Sequence, residues 1–537
     1  MAVDSLVKEI KDILGPVLQS KATERYLSEV YYGLRPLDPS IRREIERIDF
    51  PEIDNSQTEH VALFPDFAPE NHRTVFKAVL AHALYQNGIG SIFLFGDKAL
   101  PICGKKNSEA DCVECVKKSD KLADVFGIQH HGVGELAESG SEVPEEVSDR
   151  LSRYAEGSVK GKLRIAETDE DDPYHRRLLE QYQRAGEIAW QAAQGANRRF
   201  GYDYAVINMG PGLPARGSFE YLDAHDKNIL GVADPVFGWG NGFLFNKGDR
   251  PLVSYMSEEG WEEVEARDLD DDQLEELDSF MAERFESATY QQYARRGTDI
   301  ATQLGLDTRE HNVYVLFTHI LWDAAVAKRV SRVFEDHNEW VFETIDAFED
   351  RDDQLIVKTH PAEKVRGTNQ GVGSLIDARY DSLPSSVTVL PPETEINTYD
   401  LIDFTDVTLA MTSTAGLESA YKGNPVIAVG DAHYTGKGFT HDASTREEYF
   451  DLLTTDPATL DLSEAARLRA LKYTYNFFID RPVHFESLHP QGLTEAEEDR
   501  FLTIESYDEI RDDTQLQNLA ESFKSYDNKL YYGMREE

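Results

Sequence analysis

Short, uninterrupted apolar runs recur along the chain, separated by longer segments with helical spacing. Val61-Ala62-Leu63-Phe64 is the first, followed by the turn-like Pro65-Asp66-Phe67-Ala68-Pro69, a helix from about Asn71 to Gln86 and the stop signal Asn87-Gly88. Ser91-Ile92-Phe93-Leu94-Phe95 then resumes as a strand. After an irregular insertion of roughly 75 residues, a helix around Arg176–Arg199 leads to Tyr204-Ala205-Val206-Ile207-Asn208, a Gly/Pro-rich loop through Gly217, a further helix and Ile229-Leu230-Gly231-Val232. Strands apolar at every position, rather than at alternate ones, predict a parallel sheet covered on both faces.

The same alternation returns after an acidic connection, Glu258–Asp278, that reads as a solvated helix. Val313-Tyr314-Val315-Leu316-Phe317 opens it, and Leu355–Lys358, Val387–Leu390, Val407–Met411 and Val426–Val429 continue it. The expected architecture is therefore α/β, with two Rossmann-like domains facing a cleft. The expected divisions are a helical extension over 1–50, a first Rossmann-like domain over 51–290, a second over 291–490 and a helical tail over 491–537.

Composition narrows the function. Among 537 residues, 99 Asp and Glu face 55 Lys and Arg, for a formal net charge of −44. The acids are dispersed through periodic segments, and aromatic and apolar residues suffice for real cores. Such a surface suits high salt, which screens self-repulsion. It disfavours nucleic acid as a partner, because phosphate backbones need clustered Lys and Arg. The first residues, Met1–Glu9, carry charges where a secretory signal needs an apolar core, no run reaches the length of a membrane span, and three cysteines do not make a disulfide framework. A cytoplasmic protein is expected, with peripheral contact at the inner face of the membrane if its acceptor is lipid-linked.

Three segments of the second half carry candidate chemistry. In the first, a buried strand ends in Lys358-Thr359-His360-Pro361-Ala362-Glu363. Open α/β sheets bind ligands at that carboxyl edge. His360 there either donates to a phosphate oxygen, with Lys358 adding positive charge, or is a strand-end histidine satisfied by backbone. In the second, Met411-Thr412-Ser413-Thr414-Ala415-Gly416-Leu417-Glu418 places hydroxyls at a helix start. Ser413 and Thr414 are either phosphate contacts, with Gly416 permitting close approach and Glu418 reaching a ribose, or ordinary caps. In the third, Gly430–Thr440 follows the next strand with Tyr434, Gly436 and Thr440, and reads as a ligand loop or a plain surface loop.

This ordered set resembles the capsule polysaccharide biosynthesis family, whose members include the keto-deoxyoctulosonic acid transferases of capsule assembly. The resemblance covers about 313–442. It implies a glycosyltransferase of the GT-B type with no organic cofactor. The implied partners are a nucleotide-sugar donor held by the second domain and a glycan or lipid-linked acceptor held by the first. On this likeness His360, Ser413 and Thr414 contact donor phosphate, and Glu418 the nucleoside sugar. Lys358, Gly416, Tyr434, Gly436 and Thr440 complete the donor site. A first-domain carboxylate acts as base, with Asp66 preferred over Glu70 and Asp234, although each also reads as a solvated loop acid. The run Val206–Gly212 resembles the family's first-domain strand followed by Asn-Gly, altered here by Met209.

No Asp-x-Asp donor motif stands out, so Mg²⁺ is not expected to be essential. Cys103, Cys112 and Cys115, with His130 and His131 downstream, supply the ligand types of a structural zinc site or are simply inert thiols. Two other functions fit the same segments: a nucleotide-sugar epimerase, which needs no acceptor, and a non-catalytic glycan-binding assembly protein.

Overall fold

The structure, a computed structural model, describes residues 48–68, 71–103, 109–138, 141–208, 212–233, 243–246, 255–286, 296–306, 311–323, 331, 333–488 and 502–525. The helical reading of residues 1–47, Glu70, Met209, Asp234 and residues 491–501 lie outside them. Two compact units emerge. One takes the chain up to Ser158, Asp169–Val253 and the residues from Arg481; the other takes Val159–Thr168 and Ser254–Asp480.

In the first unit, β1 (His60–Asp66), β2 (Ile89–Phe95), β3 (His130–Gly132), β4 (Tyr204–Asn208), β5 (Asn228–Ala233) and β6 (Leu244–Asn246) form one sheet in the order β3-β2-β1-β4-β5-β6. All its pairs are parallel except β5 with β6. The helices are α1 (Asn71–Gln86), α2 (Glu109–Val125), α3 (Val133–Ala137), α4 (Glu145–Leu163), α5 (Pro173–Phe200) and α6 (Ala215–Ala224). The insertion after β2, read as irregular, thus holds a strand and three helices. Its strand, His-His-Gly, is a half-buried edge without an apolar run, so it carries no strand signal. Pro65, read as a turn, lies inside β1. It sits beyond the residues Ala62 and Leu63 that pair with β4, where its missing N–H costs no ladder bond.

The second unit repeats the plan. Its strands β7 (Val313–Phe317), β8 (Gln354–Lys358), β9 (Val387–Leu390), β10 (Val407–Ala410), β11 (Val426–Ala428) and β12 (His441–Asp442) are all parallel, in the order β12-β11-β10-β7-β8-β9. Its helices are α7 (Glu258–Ala266), α8 (Asp271–Glu286), α9 (Ile300–Leu304), α10 (His337–Ala347), α11 (Ala362–Val365), α12 (Val372–Arg379), α13 (Thr398–Phe404), α14 (Thr414–Lys422), α15 (Arg446–Thr454) and α16 (Glu464–Tyr475). The apolar strands bury against Trp340, Val341 and Ile345 of α10 and Tyr449 and Leu453 of α15. The Tyr449 hydroxyl, fully buried, accepts from Trp340 Nε1 (3.1 Å) and bonds Thr344 Oγ1 (2.7 Å), so this aromatic pair brings no unpaired polar atom inside. Two Rossmann-like α/β units are therefore present.

A last helix, α17 (Thr514–Ser525), belongs to the first unit. Phe523 packs on Tyr204 (4.9 Å between rings), and Asn87 Nδ2 donates to Gln517 Oε1 (3.0 Å).

Candidate active site

In the second sheet the chain runs from β7 to β8 and β9 on one side, then returns to place β10 on the other side of β7. The point where strand order reverses leaves a crevice outside the carboxyl ends of β7 and β10, the place where such sheets take ligands. Register decides what stands there. Phe317 pairs with Lys358 and with Ala410, so the two residues that follow β7, Thr318-His319, run beside Thr359-His360 on one side and Met411-Thr412 on the other.

His360 is part-buried, and its Nδ1 accepts the Ala362 N–H (3.1 Å). That nitrogen must carry the lone pair, which leaves Nε2 as the N–H donor. Burial, with Lys358 and Arg366 adding repulsion, holds the imidazole down at about 4, so it is neutral near pH 7. Lys358 lies beneath, buried, with Nζ donating to the Thr359 carbonyl (3.2 Å); burial lowers it to about 8 while Glu363 supports its charge. Glu363, also buried, accepts the Val372 N–H (3.2 Å) and is raised to about 7, chiefly by desolvation.

Ser413 is the N-cap of α14, but its hydroxyl stands 3.4 Å from the Ala415 N, a long contact for a cap. Its carbonyl accepts the Tyr434 hydroxyl (2.8 Å). Gly416 is required by this arrangement: a β-carbon there would lie 2.2 Å from Tyr434 Oη. The close approach that Gly416 permits is thus that of a fully buried tyrosine. Tyr434 holds the loop from beneath. Thr440 donates to Asp442 Oδ1 (2.6 Å) and the Gly436 N–H to Asp442 Oδ2 (2.7 Å), closing the glycine loop on one carboxylate. Glu418 is buried, and its Oε1 takes both Nε (2.7 Å) and Nη2 (2.6 Å) of Arg284 on α8, with the Tyr399 hydroxyl at 3.3 Å.

His319 was missed by motif reading. Its signal is the repeat of Thr-His after two neighbouring strands, Phe317-Thr318-His319 and Lys358-Thr359-His360.

The remaining candidates belong to the first unit. Asp66 ends β1, buried, with Oδ2 accepting the Thr74 hydroxyl (2.8 Å) and Lys77 Nζ at 3.4 Å. Cys103, Cys112 and Cys115 are reduced and line one small cavity with Phe67, Gly96, Lys98 and Leu100. Among the described residues no three His, Cys, Asp or Glu side chains are arranged to hold a metal ion. The histidines read as further zinc ligands have other partners: His130 Nε2 faces Asp120 Oδ1 (3.3 Å), and His131 Nδ1 faces Glu135 (3.3 Å).

The fold and the polar row at its switch point define a two-unit α/β protein whose second sheet gathers imidazoles, hydroxyls and a helix start at its carboxyl edge. Residues 275–478 match the family model described as "Capsule polysaccharide biosynthesis protein". All three motifs on which that resemblance rests lie within this stretch. No curated protein matches the chain. Among solved structures, the chain is similar to the KpsC β-Kdo 2,4 transferase of Thermosulfurimonas dismutans, at 16% identity over 50% of this chain and 79% of that one, with a TM-score of 0.33. A UDP-GlcNAc 2-epimerase from Neisseria meningitidis matches at 10% identity over 77% and 95%, with a TM-score of 0.24. The glycosyltransferase SnogD from Streptomyces nogalater matches at 13% over 79% and 96%, with a TM-score of 0.23. Among the described residues no helix is long and apolar enough to cross a membrane.

Proposed function

We propose that this chain is a glycosyltransferase of surface polysaccharide or glycan biosynthesis, moving a sugar from a nucleotide-sugar donor to a glycan or lipid-linked acceptor. The observation that carries the reading is His360, whose Nδ1 accepts the Ala362 N–H and so leaves Nε2 to donate, at the same carboxyl edge of the sheet as the loosely capped start of α14 and within the stretch that matches the capsule family. An N–H donor and the positive end of a helix suit the phosphate of a donor and the charge that grows on it as the glycosidic bond breaks. The reaction is a direct displacement. Asp66 is the proposed base on the acceptor hydroxyl, His360 and the α14 start stabilise the departing phosphate, and Glu418, with Oε1 held by Arg284, receives the ribose. Metal independence, a cytoplasmic site and adaptation of the acidic surface to high salt belong to the same proposal.

A thermal-shift panel of nucleotides and nucleotide sugars in high salt tests it, because a ligand that binds only the folded state raises its stability by about 2.7 kcal/mol at a hundredfold excess over Kd. One nucleotide class is expected to shift the wild type, and His360→Ala is expected to reduce that shift while leaving the unliganded melting temperature near its wild-type value. No shift across the panel would reject the donor reading. The salt reading predicts separately that the unliganded melting temperature climbs from dilute buffer to molar salt, as the screening length shrinks to about 3 Å. A flat profile would remove it.

A further inference from the structure

The end of β7 carries a second imidazole that none of the motifs includes. His319 is 5% exposed, and its Nε2 lies 3.0 Å from the Thr412 backbone N and 3.1 Å from the Thr412 hydroxyl. A backbone N–H only donates, so Nε2 carries the lone pair and the neutral ring has its proton on Nδ1. Nδ1 has no hydrogen-bond partner among the described residues. His360 is built the same way with the nitrogens exchanged: Nδ1 accepts a backbone N–H and Nε2–H is left to donate.

The two rings stand on adjacent strands at equivalent positions, since Phe317 pairs with Lys358 two residues earlier. Neighbouring parallel strands run about 4.8 Å apart, so side chains at equivalent positions on them can reach the same anion. Burial first, then the neighbouring His337 and His360, oppose the protonation of His319. Beside His319, the Thr318 hydroxyl is buried with no partner among the described residues. A buried hydroxyl of this kind in a native interior calls for an explanation such as a bound ligand.

We propose that His319 is a second phosphate-binding residue of this crevice, its Nδ1–H acting with the Nε2–H of His360 as a two-imidazole clamp on one phosphate group of the ligand. The identification of that phosphate as part of a nucleotide sugar rests on the function proposed above; the clamp itself does not. Through Nε2 the same ring holds Thr412, so anion binding on one side of His319 and the position of the α14 start on the other are joined by a single side chain.

The test separates the two nitrogens. In His319→Gln the side-chain amide reaches the ε position, keeping an acceptor for the Thr412 N–H and losing the δ donor. In His319→Asn a donor remains at the δ position and the acceptor is lost. Binding of inorganic pyrophosphate to the full-length protein, and of each nucleotide in the panel, is measured by calorimetry beside the unliganded melting temperature. His319→Gln is expected to keep the wild-type melting temperature and to bind pyrophosphate roughly ten- to a hundredfold more weakly. His319→Asn is expected to retain binding within a few-fold.

Wild-type affinity in His319→Gln overturns the clamp, and leaves the donor reading intact if a nucleotide still binds. His319-dependent pyrophosphate binding without any nucleotide binding upholds the clamp and removes the donor reading. Failure of the wild type to bind either probe overturns both. Should the variants not fold, histidine-selective ¹⁵N spectra of the wild type decide: pyrophosphate should move one δ-protonated and one ε-protonated ring, and an unmoved set of δ-protonated rings overturns the proposal.

Discussion

Between pH 7 and pH 5 the second unit is expected to lose at least about 2 kcal/mol of folding stability, well before its surface carboxylates titrate. Burial holds His360 at about 4 and His337 at about 3, and places His319 well below the ordinary histidine value of 6.5. Each is neutral when folded, and each takes up a proton near 6.5 when unfolded. The unfolded chain therefore binds more protons between pH 6.5 and about 4, and stability that is fully present above 6.5 falls as pH drops through that window. His360 and His337 each contribute a loss of about 2 kcal/mol by pH 5, and His319 adds to it in the same direction. Glu363 works in the opposite direction. Raised to about 7, it holds a proton in the fold that the unfolded chain releases, so acidification below 7 returns about 2 kcal/mol. The sum is a loss near the lower end of what a domain can spare. Denaturant titrations at fixed salt from pH 7.5 to 4.5 check it, and Glu363→Gln should raise the loss to at least about 4 kcal/mol by removing the offset. A flat stability profile in both proteins would mean that these imidazoles are not held neutral. The first unit carries a similar group, His82, at about 4 with Nε2 on the Phe126 carbonyl (2.7 Å), so it should follow the same direction with a shallower slope.

Gly416→Ala is expected to destabilise the second unit by about 3 kcal/mol and to abolish anion binding at the α14 start. The new β-carbon would meet Tyr434 Oη at 2.2 Å, Tyr434 Cζ at 2.8 Å and Ala410 Cβ at 3.2 Å. Tyr434 is fully buried, and its hydroxyl is committed to the Ser413 carbonyl, so neither ring nor loop can yield without losing that bond. Tyr434→Phe alone should cost about 1 kcal/mol, because it leaves one carbonyl short of a donor. The combination is the informative measurement. Removing the hydroxyl removes the shortest clash, so Tyr434→Phe should be stabilising in the Gly416→Ala background although it is destabilising in the wild type. Chemical denaturation of the four proteins gives the coupling. Additive costs would show that the strain of Gly416→Ala lies elsewhere than at Tyr434.

Strands buried on both faces announced themselves: β1, β2, β4, β5 and the central strands of the second sheet are apolar at nearly every position because helices cover them on each side. Helix α14 was equally legible, since a hydroxyl N-cap, a left-handed glycine at 423 and a proline after it mark a helix from local chemistry alone. Edge strands were not. His130–Gly132 and His441–Asp442 are short and only half-buried, and what makes them strands is a neighbour already in place.

The sequence by itself determined the class of fold and the polar groups delivered to one edge of the second sheet, because strand burial, turn residues and helix caps act over a few residues. Tertiary structure alone decided what those groups can do. Arg284 reaches Glu418 across 134 residues, Thr412 sets the tautomer of His319 across 93, and Tyr434 occupies the space that Gly416 leaves. Protonation state and hydrogen-bond direction depend on which partner arrives at about 3 Å. No local pattern records that distance, since it is set by strand order and register across the whole sheet.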